Sequence, residues 1–63
     1  MRIAAVVRRG IAEGRWRPGD PVPSITTLSQ EHGVARQTAA KALRLLEDEG
    51  LLTRVPGLGY YVA

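Results

Sequence analysis

A mostly α-helical domain closed by a small β-hairpin is the fold this sequence predicts, and three features of its patterning carry that expectation. Apolar residues recur at helical spacing in residues 2 to 13 and again, most clearly, at Ala39, Ala42, Leu43 and Leu46. A single glycine, Gly33, separates that last run from a shorter helical run beginning after Ser24. Beyond Gly50 the composition changes to strand formers on either side of Pro56-Gly57-Leu58-Gly59.

Taken in order, Ile3, Val6, Val7 and Ile11 give the first helix an apolar side, with Arg2, Arg8, Arg9 and Glu13 elsewhere and Gly14 at its carboxyl end. Residues 15 to 23 hold three prolines, which exclude a regular helix and leave a connection of turns, with Pro18-Gly19 suited to type II. Trp16 plugs the small core from this connection, or else offers a stacking platform for bases. Ser24 supplies the oxygen that caps a second helix over 25 to 32, whose main inward residue is Leu28. Its capping box is incomplete, because the third helical position is Thr27 instead of Glu or Gln. His32 sits where the helix dipole favours it, a surface or packing position rather than a metal ligand.

Gly33 permits the left-handed backbone that turns the chain into the third helix, and Val34 buries in the elbow. That helix, over 35 to 48, has an inward face of Ala39, Ala42, Leu43 and Leu46. Arg36, Gln37, Ala40, Lys41 and Arg44 lie on or near the other side. A helix with one apolar face and one basic, hydrogen-bonding face can lie in a nucleic-acid groove. Leu51 to Val55 and Tyr60 to Val62 then form a two-stranded wing that packs on the helices through Leu52 and one of the tyrosines. The tyrosines pack in the hairpin or, alternatively, donate to phosphate.

Composition narrows the function. Sixty-three residues make one domain that buries roughly 60% of its unfolded surface, too little for a large catalytic pocket. There is no cysteine and one histidine, which removes a disulfide framework and a cysteine-based zinc site, so no metal and no cofactor is expected. No run of eighteen apolar residues is present, and charge interrupts the amino-terminal stretch too early for a secretion signal, which points to a soluble cytoplasmic protein with no membrane partner. Glu47-Asp48-Glu49 reads as a solvated helix end with no nucleophile beside it, so the chain is not expected to be an enzyme. Residues 1 to 20 carry five arginines against two acids, whereas residues 21 to 63 balance four bases against four acids. Within the third helix the bases come first and the acids last, against the preference of the helix dipole. Local helix stability does not account for that order, and a polyanionic partner approached by the first turns does.

The run Ile11 to Asp20, then Val22-Pro23-Ser24 with Leu28, Gly33-Val34-Ala35-Arg36-Gln37-Thr38, Ala42-Leu43 and Leu46, Glu49-Gly50-Leu51-Leu52, and Gly57 to Val62 together resemble the DNA-binding domain of the GntR family of bacterial transcription regulators. The resemblance covers nearly the whole chain. It implies a winged helix-turn-helix that binds double-stranded DNA at a palindromic operator, usually in repression. It also implies a homodimer, formed on DNA or through a carboxyl-terminal effector or dimerisation domain that these residues do not include. Arg36 falls on the family's DNA-contacting arginine at the start of the recognition helix, with Gln37 and Thr38 in the adjoining polar positions. An arginine there can take guanine O6 and N7 together, glutamine can pair with adenine or bridge to phosphate, and threonine can reach phosphate or a thymine methyl.

The chain also departs from the family's pattern. Thr26 and Ala40 stand at frequent arginine positions, which Lys41 and Arg44 offset in part from neighbouring positions, although a lysine makes no planar two-pronged contact. Ala35 lacks the hydroxyl that caps the third helix. In the wing, Gly57 and Gly59 match, while Leu58 replaces a basic residue and leaves Arg54 as the remaining wing charge. Ser24, Thr26, Arg36, Gln37, Thr38, Lys41, Arg44, Arg54, Gly57 and Gly59 are therefore the candidate DNA-binding residues. The alternative is a winged-helix protein-interaction module whose apolar wing meets a protein.

Overall fold

The computed structural model describes residues 2–63, so Met1 lies outside the described residues. Three helices, α1 (Arg2–Ala12), α2 (Ile25–His32) and α3 (Arg36–Asp48), precede two strands, β1 (Leu52–Val55) and β2 (Gly59–Val62). The apolar stripe of α3 becomes the centre of the molecule: Ala39, Ala42, Leu43 and Leu46 are all buried. Ile3, Ala4 and Val7 of α1, Leu28 of α2, Leu52 and Val62 of the wing, and Val22 complete the core. Each fully buried leucine contributes about 1.5–3 kcal/mol relative to exposure, so in a domain this small α3 dominates the stability. Its two buried alanines keep side-chain bulk off that face.

The first helix departs from expectation on one flank. Val6 is 42% exposed, and Ala4 takes the inward place beside Ile3 and Val7. Apolar spacing alone put Val6 on the buried side, but the stripe that meets α3 is narrow and Val6 falls off its edge. Trp16 does pack against the core from the connection, and its seat depends on Gly10, where a Cβ would collide with the indole. Arg15 covers the ring from outside, its guanidinium carbon 4.9 Å from the ring centre.

The proline-rich connection is more ordered than a set of turns. Gly19 donates to the Val62 carbonyl at 2.9 Å, Val62 donates to that of Asp20 at 2.9 Å, and Val22 donates to that of Tyr60 at 3.1 Å. Residues 19 to 22 thus run along the outer edge of β2, with Pro21 opposite Tyr61. Proline is tolerated there because an edge position has no partner for its missing N–H. The pairing also carries Val22 into the core, which the sequence reading had not assigned to it.

Gly33 supplies the predicted turn, with φ 62° and ψ 37° at the end of α2. A bond unreadable from sequence stiffens it: the Ser29 hydroxyl donates to the Val34 carbonyl at 2.6 Å across the elbow. With the backbone N–H of Val34 also donating to Ser29 at 3.1 Å, the angle between α2 and α3 is fixed from both sides. In the wing, β1 and β2 pair antiparallel with Leu52 opposite Val62, Thr53 opposite Tyr61, Arg54 opposite Tyr60 and Val55 opposite Gly59.

Candidate nucleic-acid interface

Strand alternation decides where the wing charge goes. Leu52 is buried against the helices, so Arg54, two residues on, lies on the same face, across from Tyr60. That face looks onto the amino ends of α2 and α3. The result is an open cleft of about 320 Å³ lined by Ser24, Ile25, Thr26, Arg36, Arg54, Val55, Gly57, Gly59 and Tyr60. Six of the ten sequence-predicted residues, Ser24, Thr26, Arg36, Arg54, Gly57 and Gly59, meet here. Val55 and Tyr60 of the wing add apolar and aromatic surface, together with Ile25, which no signal in the sequence marked.

Along the outer face of α3 a second, shallower hollow of about 220 Å³ is lined by Gln37, Ala40, Lys41 and Arg44. Arg36 and Ala40 are one helical turn apart, so the hollow continues the cleft along the helix. Thr38 is the exception. It is half-buried on the other flank of α3, beside Arg2, Ile3, Glu31, His32 and Val34, around a hollow of about 410 Å³.

Ser24 caps α2 as expected, accepting from the Thr27 N–H at 3.1 Å. Thr27 answers with its hydroxyl, which accepts from Ser24 Oγ at 3.0 Å and orients the cap without the glutamate of a full box. The start of α3 has no such feature: Ala35 takes the cap conformation, φ −63° and ψ 150°, with no side-chain bond. The Thr38 N–H turns back to the Ala35 carbonyl at 3.0 Å, which leaves the N–H groups of Arg36 and Gln37 at the positive end of the helix dipole.

The ion pairs sort the cations into two classes. Arg8 bonds Glu49 and Arg9 bonds Glu13, so two of the arginines of α1 are neutralised within the fold. Arg36, Lys41, Arg44 and Arg54 are exposed and have no carboxylate partner among the described residues. Arg2, Arg15 and Arg17 are likewise exposed without a carboxylate partner among the described residues, but none of them lines the cleft or the hollow along α3. Among the described residues no polar side chain is buried and no cluster of His, Cys, Asp or Glu is placed to hold a metal ion. An open, cationic, hydrogen-bonding surface of this shape suits phosphates and base edges.

The sequence pattern of the bacterial regulatory proteins of the gntR family matches residues 1–62. The chain belongs to the GntR family. It is 42% identical over 62 residues to the histidine utilization repressor of Klebsiella aerogenes, covering 98% of this chain and 26% of that protein. To the mannosyl-D-glycerate transport/metabolism system repressor MngR of Escherichia coli it is 41% identical over 61 residues, 97% of this chain and 25% of that protein. The GntR-family chain therefore spans about a quarter of the length of these relatives. Among solved structures, the DNA-binding domain of AraR in complex with operator ORX1 superposes with a TM-score of 0.95 at 34% identity, over 98% of this chain and 75% of that one. The domain is a DNA-binding winged helix-turn-helix of a regulator family, not a catalytic module. No helix among the described residues is long and apolar enough to cross a membrane.

Proposed function

We propose that this domain reads double-stranded DNA sequence-specifically as a transcriptional repressor in the cytoplasm. In this reading α3 enters the major groove, Arg36 and Gln37 read bases, and Lys41 and Arg44 meet phosphates. Arg54, Ser24 and Thr26 hold the backbone beside the cleft, and Thr38 reaches it from the opposite flank. The wing approaches the adjacent minor groove through Gly57 and Gly59. Two copies act on a palindromic operator, each α3 on one half-site.

The observation that carries this proposal is the gathering of Arg36, Arg54, Lys41 and Arg44 on the cleft and the adjoining hollow of α3. These four exposed bases, two at the cleft and two farther along α3, have no acid partner among the described residues. Two relatives named as repressors and a neighbour solved on its operator support the same reading.

Selection of DNA from a random pool tests it. The expected product is a two-fold sequence whose affinity falls steeply with salt, with hydroxyl-radical protection flanking a major-groove half-site. Equal affinity for selected and random DNA, or an α3 that stays open to modification in the complex, would remove the specific-reader assignment.

A further inference from the structure

Resting on the DNA-binding reading above, we infer that the wing tip makes an apolar contact rather than an electrostatic one: Leu58 enters the minor groove and favours an easily unstacked pyrimidine–purine step there. Leu58 is 72% exposed, the most exposed large apolar side chain among the described residues. It does not line the cleft that its neighbours Gly57 and Gly59 line, so it stands outward from the same loop that borders Arg36 and Arg54.

The tip is built narrow and stiff. Gly57 and Gly59 have φ of 81° and 112°, a backbone region costly for any other residue, and neither carries a side chain to widen the loop. The Leu58 N–H donates to the Val55 carbonyl at 3.0 Å and closes the turn, with Pro56 restricting it further. A single leucine is thus presented one side chain wide, which matches a minor groove about 6 Å across. No charged residue occupies positions 55 to 59, so the tip has no charge to offer a phosphate. What it can offer is a wedge, and apolar wedges lower their cost at steps that unstack readily, TA and CA/TG. A protein partner is the other occupant for an exposed leucine. Continuity of the loop with the cationic cleft favours DNA.

The test compares the domain with Leu58→Ala and Leu58→Lys on one selected DNA site, at several salt concentrations, with 2-aminopurine placed at the step facing the wing. Leu58→Ala should weaken binding about tenfold with the slope of log affinity against log salt unchanged, because no phosphate contact is lost. It should also abolish the 2-aminopurine fluorescence rise and, in a repeated selection, the preference for a pyrimidine–purine step. Leu58→Lys should steepen the salt slope by about 0.9 while losing that step preference. Unchanged affinity and step preference in Leu58→Ala would overturn the inference, and would leave the tip to solvent or a protein. A domain that selects no DNA site at all would overturn the underlying DNA-binding reading instead, and the two failures are distinct.

Discussion

The two ends of α3 are built on opposite terms. At the amino end Ala35 leaves the helix without a side-chain cap, no acid sits in the first turn, and Arg36 extends unpaired into the cleft. At the carboxyl end the chain is held: Leu46 is buried, Gly50 and Leu51 donate back to Glu47 and Leu46 at 2.9 and 3.0 Å, and Arg8 bonds Glu49 through two atoms at 3.0 and 2.7 Å. Both ends run against the helix dipole, each at a cost of about 0.3–1 kcal/mol for an exposed charge. Tertiary packing therefore stabilises this helix, and its charge order is left free to suit a polyanion. One end anchors and the other is open for contact.

Breaking the anchor should have the largest effect. Leu46→Ala removes a side chain with no exposure and should cost about 2–5 kcal/mol, measured by urea denaturation followed by circular dichroism. For a 63-residue domain that is most of the stability, so the variant is expected to be largely unfolded at 37 °C. A cost under about 1 kcal/mol would show that the carboxyl end is not the anchor. At the open end Arg36→Ala should do the reverse, losing about 1–3 kcal/mol of affinity for a selected site while stability moves by no more than about 0.5 kcal/mol. Equal losses on selected and random DNA would assign Arg36 to phosphate rather than base. Next in size, Ala35→Ser should stabilise the domain by about 1 kcal/mol, since Ala35 already has the extended conformation that Ser24 uses to cap α2. A thermal melt without an upward shift would mean that the first turn of α3 is already satisfied.

The same contrast explains what could be read from the chain. Helical spacing identified the buried face of α3, and Gly33 marked the turn, because each rests on local geometry that the sequence encodes directly. Val6 was misplaced because spacing gives the direction of a helix face but not the width of the surface it meets. Arg54 could be named as a wing charge, yet its place in the cleft depended on strand register, which follows from which neighbour buries. Thr38 adjoins Gln37 in sequence but lies on the other flank, since consecutive helical residues point about 100° apart. The pairing of residues 19 to 22 with β2 and the Ser29 bond to Val34 join groups through the fold, and neither has a strong local signal. Arg8 with Glu49, 41 residues apart, is likewise remote in sequence, and it turned an acid expected to be solvated into an anchor.

That pair gives the smallest and most discriminating prediction. The Arg8 guanidinium is held above its usual range, first by hydrogen bonding to Glu49, against some loss of hydration, and then by charge attraction. Because its folded value is raised, its contribution is fully present below the unfolded value and is lost only in strong alkali. Changing pH between about 5 and 9 should therefore not discharge Arg8. Both side chains are more than a third exposed, so the coupling is modest and salt-screened. In a double-mutant cycle of Arg8→Ala and Glu49→Gln, the coupling measured in low salt should be smaller than any of the preceding effects and should shrink by more than half near about 1 M salt. DNA affinity is the sharper readout. If the carboxyl end only anchors, Arg8→Ala leaves the salt slope of binding unchanged. A slope reduced by about 0.9 would make Arg8 a phosphate contact, and the division of α3 into an anchored end and an open end would then fail at its anchor.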